Sequence, residues 1–535
     1  MATQDVFIRK SSGLTRQISA RDALMYCAMN PGLLYALVYI VWAPAYYPGA
    51  HMGIGVLFVL LIFPIAGLYW YFSVAMPRSG GEYIYVSRTL HPMLGLVSSF
   101  VISITALSWT GQLQDWWIRW GLADALRSVG ISTGNQGWIN VANTLDQPLV
   151  RFLIGTGALL LTMWLFLLGT KAMMKVSYWA VAFAWLAVVI LGVILVFEGR
   201  DTFVERFNRL SGAEYDAILQ AGREAGAVFG IVFLNLMYAA VTYINLNTLG
   251  QTFSANLAGE IRGVARSQAL ALFGSLAMQM AIWFAAYMLV YGIVGTNFMH
   301  ALDALWVSAP DKLPPALIHE HTASEPVPML LIAFMTGSPI LQLLFGLCFI
   351  VATWVSLAGL GFAPIRNVFA WAFDRLIPTA FADIKTRYRA PLWAIVAVIA
   401  AAEVFLWLGI YSPAYSEAIL YTIASWFIAW IILGIAGIVF PFRRRELFEA
   451  SPPAVQKRIG GIPVISILGF LTLAVSLFTE WAVAQPFFAG DASALQYVTV
   501  PGMVAVPIVI YVVAHFYHKR RGIPLSLQFS QVPPE

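Results

Sequence analysis

Two groups of residues in the 535-residue chain have the types and spacing needed to hold a small ligand with main-chain atoms. The first is Asn30-Pro31-Gly32, preceded by Ala28 and Met29 and followed by Leu33, inside a long apolar run. Pro31 removes one helical hydrogen bond and crowds the preceding turn, while Gly32 tolerates non-helical angles. Main-chain groups freed at such a break cannot face lipid, so they are buried in protein or line a cavity. A kink filled by a neighbouring helix is the plainer reading. The second group is Asn245, Asn247, Thr248, Leu249, Gly250, Gln251 and Thr252, a mostly polar cluster inside the charge-free run 225–259. Polar residues at that depth face a partner helix or an aqueous cavity, and hydrogen bonding between helices is the alternative to a site.

Other chemistry is poorly supplied. The seven histidines (51, 91, 300, 319, 321, 515, 518) gather at no one depth, and Cys27 and Cys348 lie singly in apolar runs, where Cys behaves as a small hydrophobe. No catalytic group, metal site or cofactor is expected. Glu403 is the one acid squarely inside an apolar span; a functional role is the default for such a residue, and a structural partner or an oligomer contact is the reading preferred here.

The elements that must position these groups are membrane spans. The chain is 60% apolar and only 11% charged, with a mean hydropathy of +0.77, whereas soluble domains are about 25% charged. Spans need about 20 apolar residues each. They are expected at 22–46, 52–76, 93–118, 151–170, 174–197, 227–258, 266–295, 338–372, 391–411, 418–441, 462–484 and 496–517. The first and sixth of these twelve carry the two breaks. The run around the sixth would measure about 52 Å as one α-helix, against a hydrocarbon core of about 30 Å.

With the N-terminus inside, 23 of the 31 Lys and Arg residues fall on the inner side, which by the positive-inside rule places both termini in the cytoplasm. The same loops account for the basic excess, so no nucleic-acid partner is expected. The chain divides into a cytoplasmic segment 1–21, a five-helix repeat 22–198, a second five-helix repeat 199–441 inserted the other way up, a cytoplasmic loop 442–461, two further helices in 462–517 and a tail 518–535. Interrupted helices at matching positions of two inverted repeats point to a binding site near the midplane. Loop 77–92 and the outer loop 296–337 would be symmetry mates. The tryptophans at the edge of outer loop 119–150 (Trp116, Trp117, Trp120 and Trp138) read as interfacial anchors.

Four motifs carry a family resemblance. Met76-Pro77-Arg78-Ser79-Gly80-Gly81-Glu82-Tyr83-Ile84-Tyr85-Val86-Ser87-Arg88 resembles the loop after the second helix of the amino acid–polyamine–organocation (APC) permeases. Leu257-Ala258-Gly259-Glu260-Ile261-Arg262 with Arg266 resembles their signature after helix six. Gly169-Thr170-Lys171 with Lys175 is similar to their helix 4–5 turn, and Phe369-Ala370-Trp371-Ala372-Phe373-Asp374-Arg375 with Pro378 to the end of their helix eight. The resemblance covers about residues 13–440. It implies an all-α membrane protein with twelve transmembrane helices, a LeuT-type 5+5 inverted repeat plus two C-terminal helices, working by alternating access on a small neutral amino acid or related amine in a cell membrane.

By that resemblance the substrate meets Ala28, Met29, Asn30, Gly32 and Leu33 of the first break and Asn247, Thr248, Leu249, Gly250 and Gln251 of the second. Pro31, lacking an N–H, departs from the family pattern by removing one carboxylate donor. Ala184 stands where some relatives have a proton-switching lysine. Sodium-coupled relatives use hydroxyls on helix eight near the first break. Ser356, with Thr353 one turn away, could supply such an oxygen, a helix-packing hydroxyl being the plainer reading, so coupling to H+ or Na+ is the only ionic requirement expected. Arg78, Glu82, Glu260 and Arg262 are candidate ion pairs of an inner gate, with solvated loop charges as the alternative. The partners expected are a small-molecule substrate and the bilayer, with a monomer and a homo-oligomer both open. A transporter of nucleobases or organic cations on the same fold, and a membrane-embedded enzyme or receptor, are the competing readings. The major facilitator fold is disfavoured by the few residues joining the sixth and seventh spans.

Overall fold

In the computed structural model the described residues are 16–30, 32–318, 325–385, 390–419, 422–485, 494–522 and 529. Pro31, residues 1–15, His319 and His321, and most of the tail after 522 lie outside them. The first helix begins at a reciprocal cap: the Asp22 amide donates to Ser19 Oγ at 3.2 Å, and the Ser19 amide donates to Asp22 Oδ2 at 3.1 Å.

In chain order the helices are α1 (Ala20–Met29), α2 (Tyr39–Tyr46), α3 (Met52–Gly55), α4 (Phe63–Ala75), α5 (Gly81–Thr89), α6 (Pro92–Trp116), α7 (Asp124–Thr133) and α8 (Gln136–Leu145). There follow α9 (Pro148–Leu167), α10 (Thr170–Phe197), α11 (Gly199–Leu210), α12 (Tyr215–Glu224), α13 (Phe233–Ala239), α14 (Val264–Val294), α15 (Thr296–Ser308) and α16 (Pro328–Met335). The remainder are α17 (Pro339–Phe373), α18 (Leu392–Tyr411), α19 (Pro413–Ala418), α20 (Thr422–Arg443), α21 (Arg445–Glu449), α22 (Val464–Val483) and α23 (Ala494–Arg520).

Among the described residues, ten helical stretches are long and apolar enough to cross a membrane. They fall on ten of the twelve expected spans. The first is absent from this set because it is broken into short pieces at Asn30–Leu34, and the sixth because its polar cluster makes it less apolar than a span. The second span also changes winding, through a 3₁₀ stretch at Val56–Ile62, yet stays apolar throughout. After α1 the chain leaves helical geometry at Asn30 (ψ 126°), takes a left-handed residue at Gly32 (φ +116°) and resumes as a 3₁₀ turn, Tyr35–Val38, leading into α2. After α13 the chain widens into a π-helical stretch, Ala240–Ile244, and then tightens into a 3₁₀ helix, Asn245–Asn256. The second break is therefore a change of winding and not an extended gap. Runs of 3₁₀ helix beyond 3–4 residues are uncommon and mark hinges or strain.

One boundary moves substantially. The third span, expected to end at 118, continues through a π turn (Trp117–Ala123) to Thr133. Its charges, which read as the start of a loop, are paired internally: Arg127 Nη1 lies 2.5 Å from Asp124 Oδ1, and its Nη2 also pairs with Asp146. Arg151 Nη1 reaches Asp115 Oδ1 at 2.7 Å.

Helices α1, α4 and the 3₁₀ segment pack on α14; α6 packs on α17, α18 and α20, and α10 on α17. Helix α22 lies against α20 at a glycine crossing so close that a Cβ on Gly469 would sit 2.7 Å from the Gly434 carbonyl. Cys27 and Cys348 are both buried and free.

Candidate functional site

The two interrupted segments touch. A Cβ on Gly250 would lie 2.7 Å from Asn30 Cβ and 3.4 Å from the Asn30 carbonyl carbon, so only glycine permits this approach without a shift. The 3₁₀ winding explains which residues share that contact. With three residues per turn, side chains at i and i+3 eclipse, which puts Asn247, Gly250, Phe253 and Asn256 in one row. Gly250 meets Asn30, the Phe253 ring lies 5.5 Å from that of Trp426, and Asn256 Nδ2 donates to Asn367 Oδ1 at 2.9 Å. From the other side α17 closes on the first break: a Cβ on Gly359 would meet Asn30 Oδ1 at 2.7 Å, and Ser356 Oγ donates to the Met29 carbonyl at 2.7 Å.

The carbonyls freed at the end of α1 are not bare. Gln279 Nε2, from α14, donates to the carbonyls of Asn30 (2.8 Å), Ala28 (3.1 Å) and Cys27 (3.2 Å). One turn on, Trp283 Nε1 donates to the Leu33 carbonyl at 2.9 Å, and a further turn on, Tyr287 OH donates to the Ala36 carbonyl at 2.5 Å. Asn30 Nδ2 donates to Tyr26 O at 2.7 Å, and the Gly32 amide donates to Met29 O at 2.9 Å. One face of α14 thus replaces, over the break, the hydrogen bonds that helix winding would have made. Sequence reasoning missed these three residues. Their i, i+4, i+8 spacing was readable, but nothing in the sequence linked that face to a break some 250 residues earlier.

Several buried side-chain atoms at the junction have no hydrogen-bond partner among the described residues: Asn30 Oδ1, Gln279 Oε1, Asn247 Nδ2, both carboxamide atoms of Gln251, and Thr353 Oγ1. Such atoms are uncommon in folded proteins, and all belong to residues at most 2% exposed. Thr248 Oγ1, by contrast, turns back to the Asn245 carbonyl at 2.7 Å, and Leu249 is buried. The unpartnered set is made of carboxamides and one hydroxyl, with no charged member.

On the α2 side of the break the expected interfacial anchors are internal: Trp116, Trp117 and Trp120 are buried, and of these four only Trp138 is exposed. The Tyr35 ring stacks on Trp116 at 5.6 Å, Trp42 meets Trp116 at 5.2 Å and Trp120 at 5.8 Å, and Tyr39 meets Tyr243 at 5.2 Å. These rings bridge the two broken segments.

Each of the four candidate gate charges has a partner outside that set. Glu260 Oε1 pairs with Arg366 Nε at 2.7 Å, and Thr170 Oγ1 donates to Glu260 Oε2 at 2.8 Å. Glu82 Oε1 accepts from Asn256 and Asn367 Nδ2, each at 3.4 Å, and Glu82 Oε2 accepts from Tyr69 OH at 3.4 Å. Burial pushes the Glu82 carboxyl up to about 7, against those donors. Arg78 donates to its neighbour's carbonyl, Pro77 O, and Arg262 Nε to Arg16 O. The expected pairing fails because α17 brings Arg366 and Asn367 to the carboxylates first. A second buried pair, Arg88–Asp374 at 2.7 Å, ties α5 to the end of α17. Glu403 accepts from Thr156 Oγ1 at 2.5 Å, a structural partner across α9 and α18. Among the described residues no cluster of three His, Cys, Asp or Glu is placed to hold a metal ion.

A model of the amino acid permease family matches residues 23–514. The chain belongs to the amino acid permease family. This permease is a multi-pass membrane protein, and its family makes it a transporter of small molecules working within lipid. A search of curated proteins finds no match to the chain.

Proposed function

We propose that this permease is a secondary active transporter that moves a small neutral amino acid or related amine across a cell membrane by alternating access. In this reading the ten continuous spans and the two interrupted ones make twelve, arranged as a LeuT-type 5+5 inverted repeat with two extra helices and both termini in the cytoplasm. The observation that carries it is the Asn30–Gly250 contact. Two spans lose α-winding side by side, in the first helix of each proposed repeat, where buried unpaired carboxamides gather without a charged residue. A neutral ligand side chain fits such a site, because an unpaired charge would be costly there.

The rings of Tyr35, Trp42, Trp116 and Trp120 would be the outer closure, and the Glu260–Arg366 and Glu82–Asn256–Asn367 contacts the inner one. Arg262, exposed and donating to Arg16 O, would be a flanking charge. Coupling to H+ or Na+ belongs to this proposal. Thr353 Oγ1, which has no partner among the described residues, is the oxygen a sodium ion would use; the Met29 carbonyl already accepts from Ser356 Oγ and the Gly32 amide.

The test is counterflow of radiolabelled leucine into proteoliposomes preloaded with neutral amino acids, alongside a thermal-shift panel of amino acids, polyamines and nucleobases. Neutral amino acids should stabilise the protein and drive counterflow. Stabilisation by nucleobases or polyamines alone, with no leucine counterflow, would overturn the substrate assignment.

A further inference from the structure

We propose that Asn30 and Gln279 read the substrate's amine through their side-chain oxygens. In this site the main-chain carbonyls of the first break are already engaged by the protein. The inference rests on the amine-bearing substrate proposed above and goes on to name the atoms that select it.

The orientation of both carboxamides is set by what they touch. A carboxamide has a donor end and an acceptor end, and which is which follows from the neighbours. The Gln279 nitrogen faces three carbonyl oxygens, of Cys27, Ala28 and Asn30. Reversing the group would set oxygen against oxygen three times. The Asn30 nitrogen likewise faces the Tyr26 carbonyl at 2.7 Å. Each Oδ1 or Oε1 is therefore turned away from the carbonyls that hold its nitrogen. Both oxygens are buried in residues with 0% exposure and have no partner among the described residues.

The oxygens that would otherwise hold an ammonium have donors of their own. The Tyr26, Cys27, Ala28, Met29 and Asn30 carbonyls each accept a hydrogen bond from a side chain. An ammonium carries three donors and no acceptor, and a carbonyl with one donor keeps a second lone pair; the oxygens with no donor at all are therefore the strongest acceptors left to it. Asn30 Oδ1 and Gln279 Oε1 meet that need on two sides of the break, α1 and α14. Gln279 thereby has two functions, holding the break with its nitrogen and selecting the ligand with its oxygen. Trp283 performs only the first, at Leu33.

That separation supplies the test. In proteoliposomes, inhibition of leucine counterflow is measured with leucine and with 4-methylpentanoate, which keeps the carboxylate and side chain but lacks the amine. Wild-type protein should prefer leucine by a hundredfold or more. Gln279→Met, of similar length with neither donor nor acceptor, should reduce that preference about tenfold or more, the effect of a lost hydrogen bond to a charged group. Trp283→Phe loses a carbonyl donor and should lower thermal stability while leaving the preference intact. Undiminished preference in Gln279→Met, or an equal reduction in both variants, overturns the inference and leaves the amino acid assignment standing. Failure of wild-type protein to take up any amino acid overturns that assignment, and the inference with it.

Discussion

Adding one methyl group at Gly250 tests whether the contact between the two broken segments matters to transport. The new Cβ would sit 2.7 Å from Asn30 Cβ, 3.4 Å from its carbonyl carbon and 3.5 Å from its Cα. Carbon atoms rest at about 3.5–4.0 Å, so the segments must part by about 1 Å. Asn30 has little room to retreat. Gly359 lies so near on the α17 side that its own missing Cβ would be 2.8 Å from Asn30 Nδ2, and Gln279 holds the Asn30 carbonyl at 2.8 Å. Overpacking of this kind costs about 1–3 kcal/mol. Falling on the ligand-binding arrangement, it would weaken half-saturation about 5- to 150-fold. Gly250→Ala should therefore show that loss in leucine counterflow, and Gly250→Trp should abolish uptake while the protein still inserts and purifies. Gly192→Ala is the matched control: nothing lies within 4 Å of its Cβ position, and alanine in a helix interior gains up to about 1 kcal/mol over glycine. Wild-type half-saturation and rate in Gly250→Ala would refute the reasoning, because the closest contact between the segments would then be irrelevant to the ligand.

Two further predictions concern the buried carboxylates Glu260 and Glu82. Arg366 and Glu260 are at most 6% exposed, so Arg366→Met leaves a buried carboxylate unpaired and should cost about 3–5 kcal/mol, read as a large drop in melting temperature; the double variant Arg366→Met/Glu260→Gln should recover much of it. Glu82, raised from 4.5 to about 7 by burial, binds a proton in the folded state that the unfolded chain has already released, so stability falls as pH rises from about 4.5 to about 7 and stays low above it. Relative to wild type, Glu82→Gln should therefore gain about 2–3 kcal/mol between pH 5 and pH 8, and a stability difference that does not change with pH would contradict the burial argument.

Much of the architecture was legible because the bilayer imposes it. Apolar runs of fixed length forced the spans, and α17 begins and ends within one residue of the span expected at 338–372. The first break was legible because proline and glycine act on their own backbone. The expected end of the third span failed for an equally physical reason. Arg127 read as a loop charge, yet a charge counts as exposed only until a partner arrives, and Asp124 and Asp146 stand beside it. Glu82 and Glu260 were assigned the wrong partners because both arginines considered for them lie nearby in sequence, whereas Arg366 arrives from 106 residues away.

By itself the sequence determined the solvent, ten of the apolar segments that cross it, two positions where regular winding fails, and the absence of charge around them. These follow from covalent geometry and from the cost of placing polar groups in hydrocarbon, which act residue by residue. Tertiary structure alone decided that Gly250 lies on Asn30, that the second segment tightens into a 3₁₀ helix, and that one face of α14 caps the carbonyls of the first. A hydrogen bond needs its two atoms within about 3 Å, and only packing brings residues some 250 positions apart to that distance.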